Sequence, residues 1–417
     1  MQLMLFTSSY PYNFSAEYTF IHPEIGFLAK KFSDITLFPR TSKGQKLALP
    51  SNVKVDEDYS EFLKKGQRPG KIIRAALSST LVKEELRSRA DIWFYPAKIL
   101  KLIMFASRVE LIREWVTRRI RNRQIDPQQC LLYSYWMDHS ATGLIMAKRD
   151  FPSLRVVSRA HGYDIFEEYY YPYYWPYRVE TLSGLDAVYS ASDAGKKYFR
   201  ERYPTFFSKF KTAHLGVNEP NFICMPSADG VFRIVTCSYI VSVKRLKLLM
   251  KGIAAAARYR PNQKIEWTHF GDGSGRASLQ RHMRRELPHN VTACLMGHVP
   301  NKVVMEFYRD NPVDVFINVS KTEGGAPVSI QEAISCGIPV IATDVGGNPE
   351  IVSETNGVLT SPDPSPEEIA DAIFQFIDNP SMSAAKRKGS YDVWRRKFNA
   401  DENFRKFAEQ LRSIGES

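Results

Sequence analysis

Two glutamates in the second half of the chain stand where a ligand would meet both carboxylates and free backbone amides. Glu323 opens a loop that continues with Gly324 and Gly325, and Glu332 follows on a short predicted helix. Paired glycines let a backbone approach a ligand closely, and unbonded N–H groups at a helix start favour a negatively charged partner such as phosphate. These residue types at this spacing suit an anionic nucleotide that carries hydroxyl-rich sugars.

The elements that position these glutamates follow from the residue pattern. A short apolar run at 314–318 is typical of a strand that is covered on both faces. Pro327 suits the first position of a helix, and Gly337 suits its end. The pattern therefore predicts a strand, a glycine-rich turn, a helix that carries Glu332 on one face, and a second strand at 338–342.

His161 is the candidate residue of the first half. It follows a predicted strand at 154–158 and stands beside Gly162 and Asp164. A strand that ends in a His-Gly turn places the imidazole at the carboxyl edge of a parallel sheet, where ligands bind in α/β folds. A single histidine is most often structural, but this position favours a functional role.

The rest of the chain alternates strands with helices. In the first half we expect strands at 3–7, 35–39, 131–135, 154–158, 187–189 and 211–214, with βαβ spacing at its start. In the second half we expect strands at 232–237, 265–270, 291–296, 314–318, 338–342 and 357–359 in a doubly wound parallel sheet. The predicted domains are 1–217 and 231–385, joined by a linker and hinge at 218–230. A basic helical segment, 386–417, should cross back to the first domain.

Composition bounds the class of protein. A length of 417 residues favours two or three domains. Five scattered cysteines and eight histidines without metal-ligand spacing indicate reduced core thiols, a cytoplasmic protein and no metal site. No run approaches the ~20 apolar residues of a membrane span, and the chain start lacks the features of a signal peptide.

The net charge of +12 is concentrated in one region. Between positions 71 and 123 there are 13 Lys/Arg and 5 Asp/Glu, a surplus of 8. A solvated face, a nucleic-acid patch and attraction to anionic lipid are the three interpretations. Within 96–120 an apolar stripe favours a core-facing helix over one that lies on a membrane. A tyrosine-rich run at 168–177 fits an aromatic platform for sugar or lipid, or packing beneath a loop.

Ordered motifs then point to a family. There is no GxGxxG after the first strand and no GxxxxGK[ST], which disfavours an NAD enzyme or a P-loop NTPase. Most of 231–362 resembles the retaining glycosyltransferases of the family-4 type, glycosyl transferases group 1. The matching stretches are Cys237–Leu246, Trp267–Gly273, Met296–Val299, Ser320–Gly337, Ala342–Gly347 and Glu350–Val352, with a thinner match in the first half at Glu17, Phe20, Glu24 and 158–164. The resemblance implies the GT-B fold, two Rossmann-like domains that face across a cleft.

The resemblance assigns roles to the charged residues. Lys244 matches the lysine that neutralises the donor diphosphate; the family's second cation, an arginine, falls on Tyr239, so Arg245 is expected to supply that charge. Glu332 matches the glutamate that grips the donor ribose. Glu323 matches the one that contacts the transferred sugar, although the two glutamates are nine residues apart here and eight apart in the family, which puts Gly324 at the acidic position.

Further site residues follow from the same resemblance. His161 matches a first-domain histidine near the transferred sugar and is expected, with Glu323, to be catalytic. On the acceptor side the resemblance suggests Glu17 and Asp164, with solvated charge as the alternative for Glu17 and the favoured interpretation for Glu24. The remaining expected donor-binding residues are Gly324, Gly325, Ala326, Pro327, Val328, Gly271, His298 and Val299.

The expected function is transfer of a sugar, with retention of configuration, from a nucleotide sugar to a saccharide acceptor. A lipid-linked acceptor in surface polysaccharide biosynthesis suits the basic, aromatic first half. The expected partners are the nucleotide sugar, the acceptor and an anionic membrane surface, without nucleic acid, metal or cofactor. The alternatives are a sugar-nucleotide epimerase of the same architecture and a basic nucleic-acid-binding protein.

Overall fold

The computed structural model describes residues 1–15, 17–66 and 80–416. The chain divides into two compact units, Met1–Ala213 with Phe404–Ser417, and His214–Asn403. Positions 71–79 of the basic region therefore lie outside the described residues. In the part of the chain that is described, no helix has the length and apolar composition needed to cross a bilayer.

The first unit is built on a seven-stranded parallel sheet with the strand order β3-β2-β1-β4-β5-β6-β7. Its strands are β1 (Gln2–Thr7), β2 (Asp34–Pro39), β3 (Val53–Val55), β4 (Cys130–Ser134), β5 (Arg155–Ala160), β6 (Ala187–Ser190) and β7 (Phe210–Thr212). Most residues of these strands are buried because helices cover both faces of the sheet. The sequence missed only β3, a three-residue edge strand.

Helices pack on both faces of this sheet. They are α1 (Glu17–Lys31), α2 (Asp58–Gly66), α3 (Thr80–Ser88), α4 (Pro96–Arg121), α5 (His139–Asp150), α6 (Arg178–Gly184) and α7 (Asp193–Arg202). Local signals fix several ends: Asp138 caps α5 by accepting the Ser140 amide at 2.8 Å, and Ser192 caps α7 through the Gly195 amide at 3.0 Å.

Long helix α4 faces the core of the first unit. Its stripe of Leu102, Val109, Ile112 and Val116 is fully buried. A Cβ added at Gly143 of α5 would lie 2.6 Å from the Ile112 Cβ, so the two helices pack in close contact. The core-facing interpretation of this helix is confirmed, and the stripe is not the surface that would meet a membrane.

Glu24 of α1 is a buried partner of strand β5, which corrects the expectation of a solvated charge. Its carboxylate is hydrogen-bonded to the Arg159 guanidinium, and both side chains are fully buried. Arg159 also donates to the Ala213 carbonyl at 2.6 Å and stacks on the Phe407 ring. Removing one partner of such a pair leaves an uncompensated buried charge, so the pair ties the sheet, α1 and the last helix together.

The second unit is built on a six-stranded parallel sheet with the order β10-β9-β8-β11-β12-β13. Its strands are β8 (Val231–Cys237), β9 (Lys264–Phe270), β10 (Val291–Gly297), β11 (Val315–Asn318), β12 (Val340–Thr343) and β13 (Gly357–Thr360). All six predicted strands exist within two residues of their expected bounds. Two parallel sheets with helices confirm the α/β, two-domain fold class.

The helices of the second unit follow its strands in alternation. They are α8 (Leu246–Tyr259), α9 (Arg276–Glu286), α10 (Asn301–Asp310), α11 (Val328–Ser335), α12 (Asn348–Ile351), α13 (Pro366–Asp378) and α14 (Pro380–Val393). Helix α15 (Ala400–Glu416) ends the chain, and its residues from Phe404 onward group with the first unit. The segment that was predicted to cross back to the first domain began earlier than Phe404, at position 386.

The segment predicted as a linker, 218–230, is hydrogen-bonded to the second unit. The Cys224 amide donates to the Cys336 carbonyl at 2.9 Å, and the Ser227 amide donates to Asp314 at 2.9 Å. The first unit ends at Ala213, ahead of the predicted boundary at 217. A hinge function for this segment stays a prediction.

Each sheet reverses its strand order once, and ligands in such folds bind beyond the carboxyl ends of the strands at that point. In the first sheet the reversal lies between β1 and β4, and in the second between β8 and β11. The loops after β8 and β11 carry Lys244 and Glu323. The loops after β1 and β4 carry Ser8 and Asp138. The fold thus gives each unit a place for a ligand.

Candidate functional site

Lys244 and Glu323 meet at the strand-order reversal of the second sheet. The Lys244 Nζ donates to Glu323 Oε1 at 2.5 Å, and the two side chains are 22% and 11% exposed. A charge-assisted hydrogen bond in such a partly buried place is short and strong. The structure therefore brings together two of the predicted site residues, 79 positions apart in the chain.

Asn318 and Thr343 hold the Glu323 loop in place. The Asn318 side-chain amide donates to Glu323 Oε1 at 3.1 Å, and its oxygen accepts the Ser320 amide at 3.0 Å. The Thr343 hydroxyl donates to the Ser320 carbonyl at 2.7 Å. Within the described part of the chain both partners of Glu323 bond Oε1, so Oε2 can accept a ligand hydroxyl.

Gly346 and Gly347 let a second loop lie directly against this one. A Cβ added at Gly346 would lie 1.7 Å from the Glu323 carbonyl oxygen, and one at Gly347 would lie 2.2 Å from the Gly325 carbonyl carbon. Gly346 also has φ +53°, a conformation that side chains disfavour. The loop after β12 therefore sets the position of the glutamate loop through backbone contact.

The glycine-rich turn offers free backbone donors. In the described chain, the amides of Gly324, Gly325 and Ala326 have no hydrogen-bond acceptor. Pro327 is the N-cap residue of α11 and Val328 its first residue, one position later than the sequence predicted. Gly337 has φ +73° directly after the helix, as expected for a stop.

Glu332 lies on α11 and is partly exposed. Its Oε1 accepts the Asn301 side-chain amide at 2.6 Å. Burial raises the pKa of the Glu332 carboxyl to about 7, and the Asn301 hydrogen bond opposes that shift. An uncompensated carboxyl of this kind is a good acceptor for paired ligand hydroxyls, which would stabilise its ionised form.

Arg245 is engaged by the protein. Its guanidinium donates to the carbonyls of Val319 at 2.7 Å, Ser320 at 2.9 Å and Pro362 at 2.9 Å, and to Asp363 at 2.9 Å. These contacts hold the loop after β11 against the loop after β13. Arg245 thus positions the glutamate loop, while Lys244 is the cation directed at Glu323.

The other predicted donor-side residues follow β9 and β10. Gly271 has φ +132°, and a Cβ there would lie 1.9 Å from the Ser238 carbonyl oxygen, so only glycine fits this turn. Its amide donates to the Gly297 carbonyl at 2.8 Å. His298 is exposed after β10, and Val299 packs against the core cluster that contains Phe270.

In the first unit His161 stands among aromatic rings at the end of β5. Its ring centroid lies 4.4 Å from that of Trp136 and 4.7 Å from that of Tyr135, with Phe20 stacked at 6.5 Å. Within the described chain both ring nitrogens are buried without a hydrogen-bond partner. Burial lowers the pKa of His161 although Asp164 opposes the shift, so the imidazole is neutral at pH 7.

Asp164 orders the turn that carries His161. Its Oδ1 accepts the amides of His161 at 2.7 Å and Gly162 at 3.1 Å, and Oδ2 accepts the Met137 amide at 2.9 Å. The His161 Nδ1 lies 4.0 Å from Oδ2. Burial opposes ionisation of Asp164, but His161 and these amides hold its pKa below the ordinary value.

Glu17 is neither solvated nor free. Its carboxylate accepts the backbone amides of Ser8, Ser9 and Tyr10 at 2.6 to 2.9 Å. The Trp136 indole donates to its Oε1 at 2.6 Å. Because Trp136 also contacts the His161 ring, Glu17 acts on the turn after β1 and on the wall beside His161. Its expected acceptor-side role stays a prediction.

Sequence reasoning missed several polar residues at strand ends. Asn318 ends β11 and bonds Glu323, while Arg40, Asp138 and His139 form a cluster in the first unit. Asn318 ends β11 and Arg40 directly follows β2, so a polar residue at the end of a buried apolar run is the signal that could have indicated these two.

The second unit carries a recognised family pattern. Residues 232–379 match the family model described as Glycosyl transferases group 1. The match lies wholly within the second unit. Lys244, Glu323 and Glu332 lie within the matched residues.

Curated relatives match shorter stretches. The chain is 26% identical over 221 residues, 49% of its length, to the UDP-N-acetylglucosamine–peptide N-acetylglucosaminyltransferase GtfA subunit of Streptococcus agalactiae. It is 33% identical over 152 residues, 36% of its length, to one subunit of the phosphatidylinositol N-acetylglucosaminyltransferase of Arabidopsis thaliana. The chain spans 40% and 32% of the length of these two relatives.

Solved structures match the whole chain. The apo form of the lipopolysaccharide outer core galactosyltransferase WaaB has a TM-score of 0.70 at 17% identity and covers 99% of both chains. The HepE protein of Anabaena, in complex with UDP and glucose, has a TM-score of 0.63 at 17% identity over 99% of this chain and 100% of its own. This likeness shows the two-domain GT-B fold.

We expect the raised pKa of Glu332 to make the stability of the second unit depend on pH. The folded carboxyl keeps its proton up to about pH 7, whereas the unfolded one releases it near its ordinary value of about 4.3. Between these values the folded state binds more protons, so the free energy of unfolding falls as pH rises, by at most about 1.4 kcal/mol per pH unit.

Denaturant titrations from about pH 5 to about pH 8 measure this slope. Glu332→Gln should flatten it. The control is Glu306→Gln on α10, whose carboxylate is exposed beside Lys302, and it should leave the slope unchanged. Equal slopes in Glu332→Gln and the unaltered protein would contradict the assignment.

Proposed function

We propose that the chain is a retaining glycosyltransferase that moves a sugar from a nucleotide sugar to a saccharide acceptor. The observation that carries this proposal is the Lys244–Glu323 contact at the strand-order reversal of a group 1 domain. A cation, a sugar-facing carboxylate and free amides stand together there. A ligand with a diphosphate beside a sugar needs this set of groups.

Breaking the bond between the sugar C1 and the diphosphate oxygen puts negative charge on the leaving group. Lys244 and the amides of Gly324 and Gly325 would stabilise that charge because they are in place before the reaction. The Lys244 ammonium has three donors, so it can keep Glu323 and still bind a phosphate oxygen. The acceptor hydroxyl oxygen forms the new bond to C1, and its proton leaves with the released diphosphate.

In this proposal the two glutamates bind different parts of the donor. Glu323 Oε2 would accept a hydroxyl of the transferred sugar, and Glu332 would accept the paired hydroxyls of the donor ribose. Neutral His161, with its unpartnered ring nitrogens, is the catalytic residue that we propose for the first unit. Retention of configuration and activity without metal or cofactor belong to the same proposal.

The donor we propose is a UDP-sugar. The HepE structure holds UDP with glucose, and the name of the GtfA relative includes UDP-N-acetylglucosamine. The acceptor we propose is a lipid-linked saccharide in surface polysaccharide assembly. The likenesses to WaaB and to the phosphatidylinositol N-acetylglucosaminyltransferase subunit support an acceptor with a lipid part.

The surface of the first unit supports a peripheral membrane position. We name as the aromatic rim Trp93, Phe94, Tyr95, Leu100 and Met104 together with Tyr169, Tyr170, Tyr171 and Tyr173. These side chains are 42% to 79% exposed. The two segments adjoin, because Trp175 contacts Lys101 at 5.1 Å and Phe105 at 6.2 Å. Aromatic side chains beside cations suit the headgroup region of an anionic bilayer.

The charge of the first unit also favours an anionic membrane as its partner. Positions 80–123, which contain five of the nine rim residues, hold 11 Lys/Arg and 5 Asp/Glu, a surplus of 6. Each cation near an anionic membrane adds about 1 kcal/mol of attraction. The rim and this surplus would together hold the first unit at a membrane that contains the acceptor.

Replacing Lys244 should abolish transfer without unfolding the protein. We expect Lys244→Ala to lower the transfer rate by about 10²- to 10³-fold, because one preorganised stabiliser of the leaving charge is lost. Product formation from a UDP-sugar panel, followed by chromatography, measures the rate. Lys247→Ala, an exposed lysine on α8, is the matched control. Full activity of Lys244→Ala would refute the role of the pair.

Removing the aromatic rim should weaken membrane binding. We expect the double variant Trp93→Ser and Phe94→Ser to bind vesicles of phosphatidylglycerol and phosphatidylcholine at least about tenfold less, since burial of one large side chain contributes ~1.5–3 kcal/mol. Vesicle co-sedimentation measures the binding. Phe14→Ser, which removes an aromatic that is 58% exposed elsewhere on the unit, is the control. No preference of the unaltered protein for anionic over neutral vesicles would contradict the proposal.

A further inference from the structure

The strand-order reversal of the first sheet also carries a cation cluster. Arg40 directly follows β2, Ser8 directly follows β1, and Asp138 and His139 follow β4. These three strands are neighbours at the reversal, so their carboxyl ends meet there. The site proposed for the donor in the second unit has the same place in its own sheet.

Arg40 is held rigidly in this cluster. One guanidinium nitrogen lies 2.9 Å from Asp138 Oδ2 and 2.7 Å from His139 Nε2, and another donates to the Ser8 hydroxyl. The Tyr163 hydroxyl donates to the same Asp138 oxygen at 3.3 Å. The Arg40 guanidinium is thereby oriented before any ligand arrives.

Arg108 of α4 lies on the side of that helix that packs near the cluster. Phe105, one turn earlier on the same face, contacts the His139 ring at a centroid distance of 5.8 Å. The close packing of α4 on Gly143 of α5 fixes this side of the helix against the start of α5. In the described chain Arg108 has no hydrogen-bond or ion-pair partner, although it is partly buried.

The charges around the two guanidinium groups favour binding of an anion. Burial lowers the pKa of Arg108, and the neighbouring Arg40 cation lowers it further, while Asp138 opposes both. Burial also holds the pKa of His139 at about 3, so His139 is neutral at pH 7. Glu17 acts on Arg40 as well, but amides and the Trp136 indole already occupy its carboxylate.

Tyr59 supplies a second sign of an unfilled site. Its side chain is fully buried, and in the described chain its hydroxyl has no hydrogen-bond partner. Its ring contacts that of Phe38 on β2, two residues before Arg40, at a centroid distance of 5.8 Å. The charges of Arg40 and Asp138 both act on its phenol. A buried hydroxyl without a partner costs free energy that a bound acceptor atom would recover.

We propose that Arg40 and Arg108 form an anion site in the first unit that takes a phosphate or diphosphate group of the acceptor. Two forked guanidinium groups match phosphate oxygens, and the Tyr59 hydroxyl adds a donor. The inference deepens the proposed function, because it assigns the acceptor a phosphate. The buried aromatic residues Phe105, Trp175 and Tyr177 adjoin the site and suit an apolar part of such an acceptor.

Pyrophosphate binding to the full chain tests this site without any transfer reaction. The protein carries Lys244→Ala, so that the proposed donor site does not contribute, and calorimetry is done at low salt. We expect binding that Arg108→Gln weakens at least about tenfold, because a charge-assisted pair of hydrogen bonds is lost. Tyr59→Phe keeps the ring and should weaken binding less. Arg118→Gln, an exposed arginine on the same helix, is the control.

The outcomes separate this inference from the proposed function. Binding lost with Arg108→Gln and kept with Arg118→Gln supports the site even if no sugar transfer is found. No pyrophosphate binding, or equal loss in both arginine variants, overturns it even if transfer is found. Tighter binding of a short prenyl diphosphate than of pyrophosphate supports the site with a lipid-linked acceptor, and equal binding supports it with a soluble phosphorylated one.

Discussion

The contact between Lys244 and Glu323 is the interaction on which the rest of the second unit depends. Two charges that are 22% and 11% exposed lose much of their hydration, and each offsets that loss through the other. Neither residue can reach the other unless the loops after β8 and β11 adopt one conformation. Asn318, Thr343 and Arg245 supply that conformation by bonding the loop around Glu323.

The same constraint explains the glycines of this sheet edge. Gly346 and Gly271 stand where backbones touch, and a methyl group at either would lie within 2 Å of a carbonyl oxygen. Their role is to bring loops together, and ligand contact is a consequence. The loops after β8 and β9, and those after β11 and β12, can then pack backbone against backbone. In the first unit an ion pair brings the loops together, because Arg40 and Asp138 join the loops after β2 and β4.

Much of this fold could be predicted because parallel strands covered on both faces leave continuous apolar runs. Most strands differ from their expected bounds by one residue. Edge strand β3 was missed because a three-residue strand leaves too short a pattern. The strand, turn and helix around Glu323 were predictable because an apolar run, paired glycines and a proline follow one another in the sequence.

Charges whose partners are distant in sequence could not be placed. Glu24 pairs with Arg159, 135 positions away, and Glu17 bonds Trp136, 119 positions away. Spacing on one helix gives no sign of such partners, so Glu24 was expected to be solvated, and solvated charge was the alternative to an acceptor-side role for Glu17. Arg245 was expected to face a ligand for the same reason, because the carbonyls that engage it lie 74 to 117 positions further on.

The central claim is that the second unit holds a nucleoside diphosphate through Lys244. Calorimetric titration of the full chain with UDP and with UMP tests it most directly, since the two ligands differ by one phosphate. We expect UDP to bind at least about tenfold more tightly than UMP, and we expect Lys244→Ala to remove this difference. Equal affinity for the two nucleotides in the unaltered protein would contradict it.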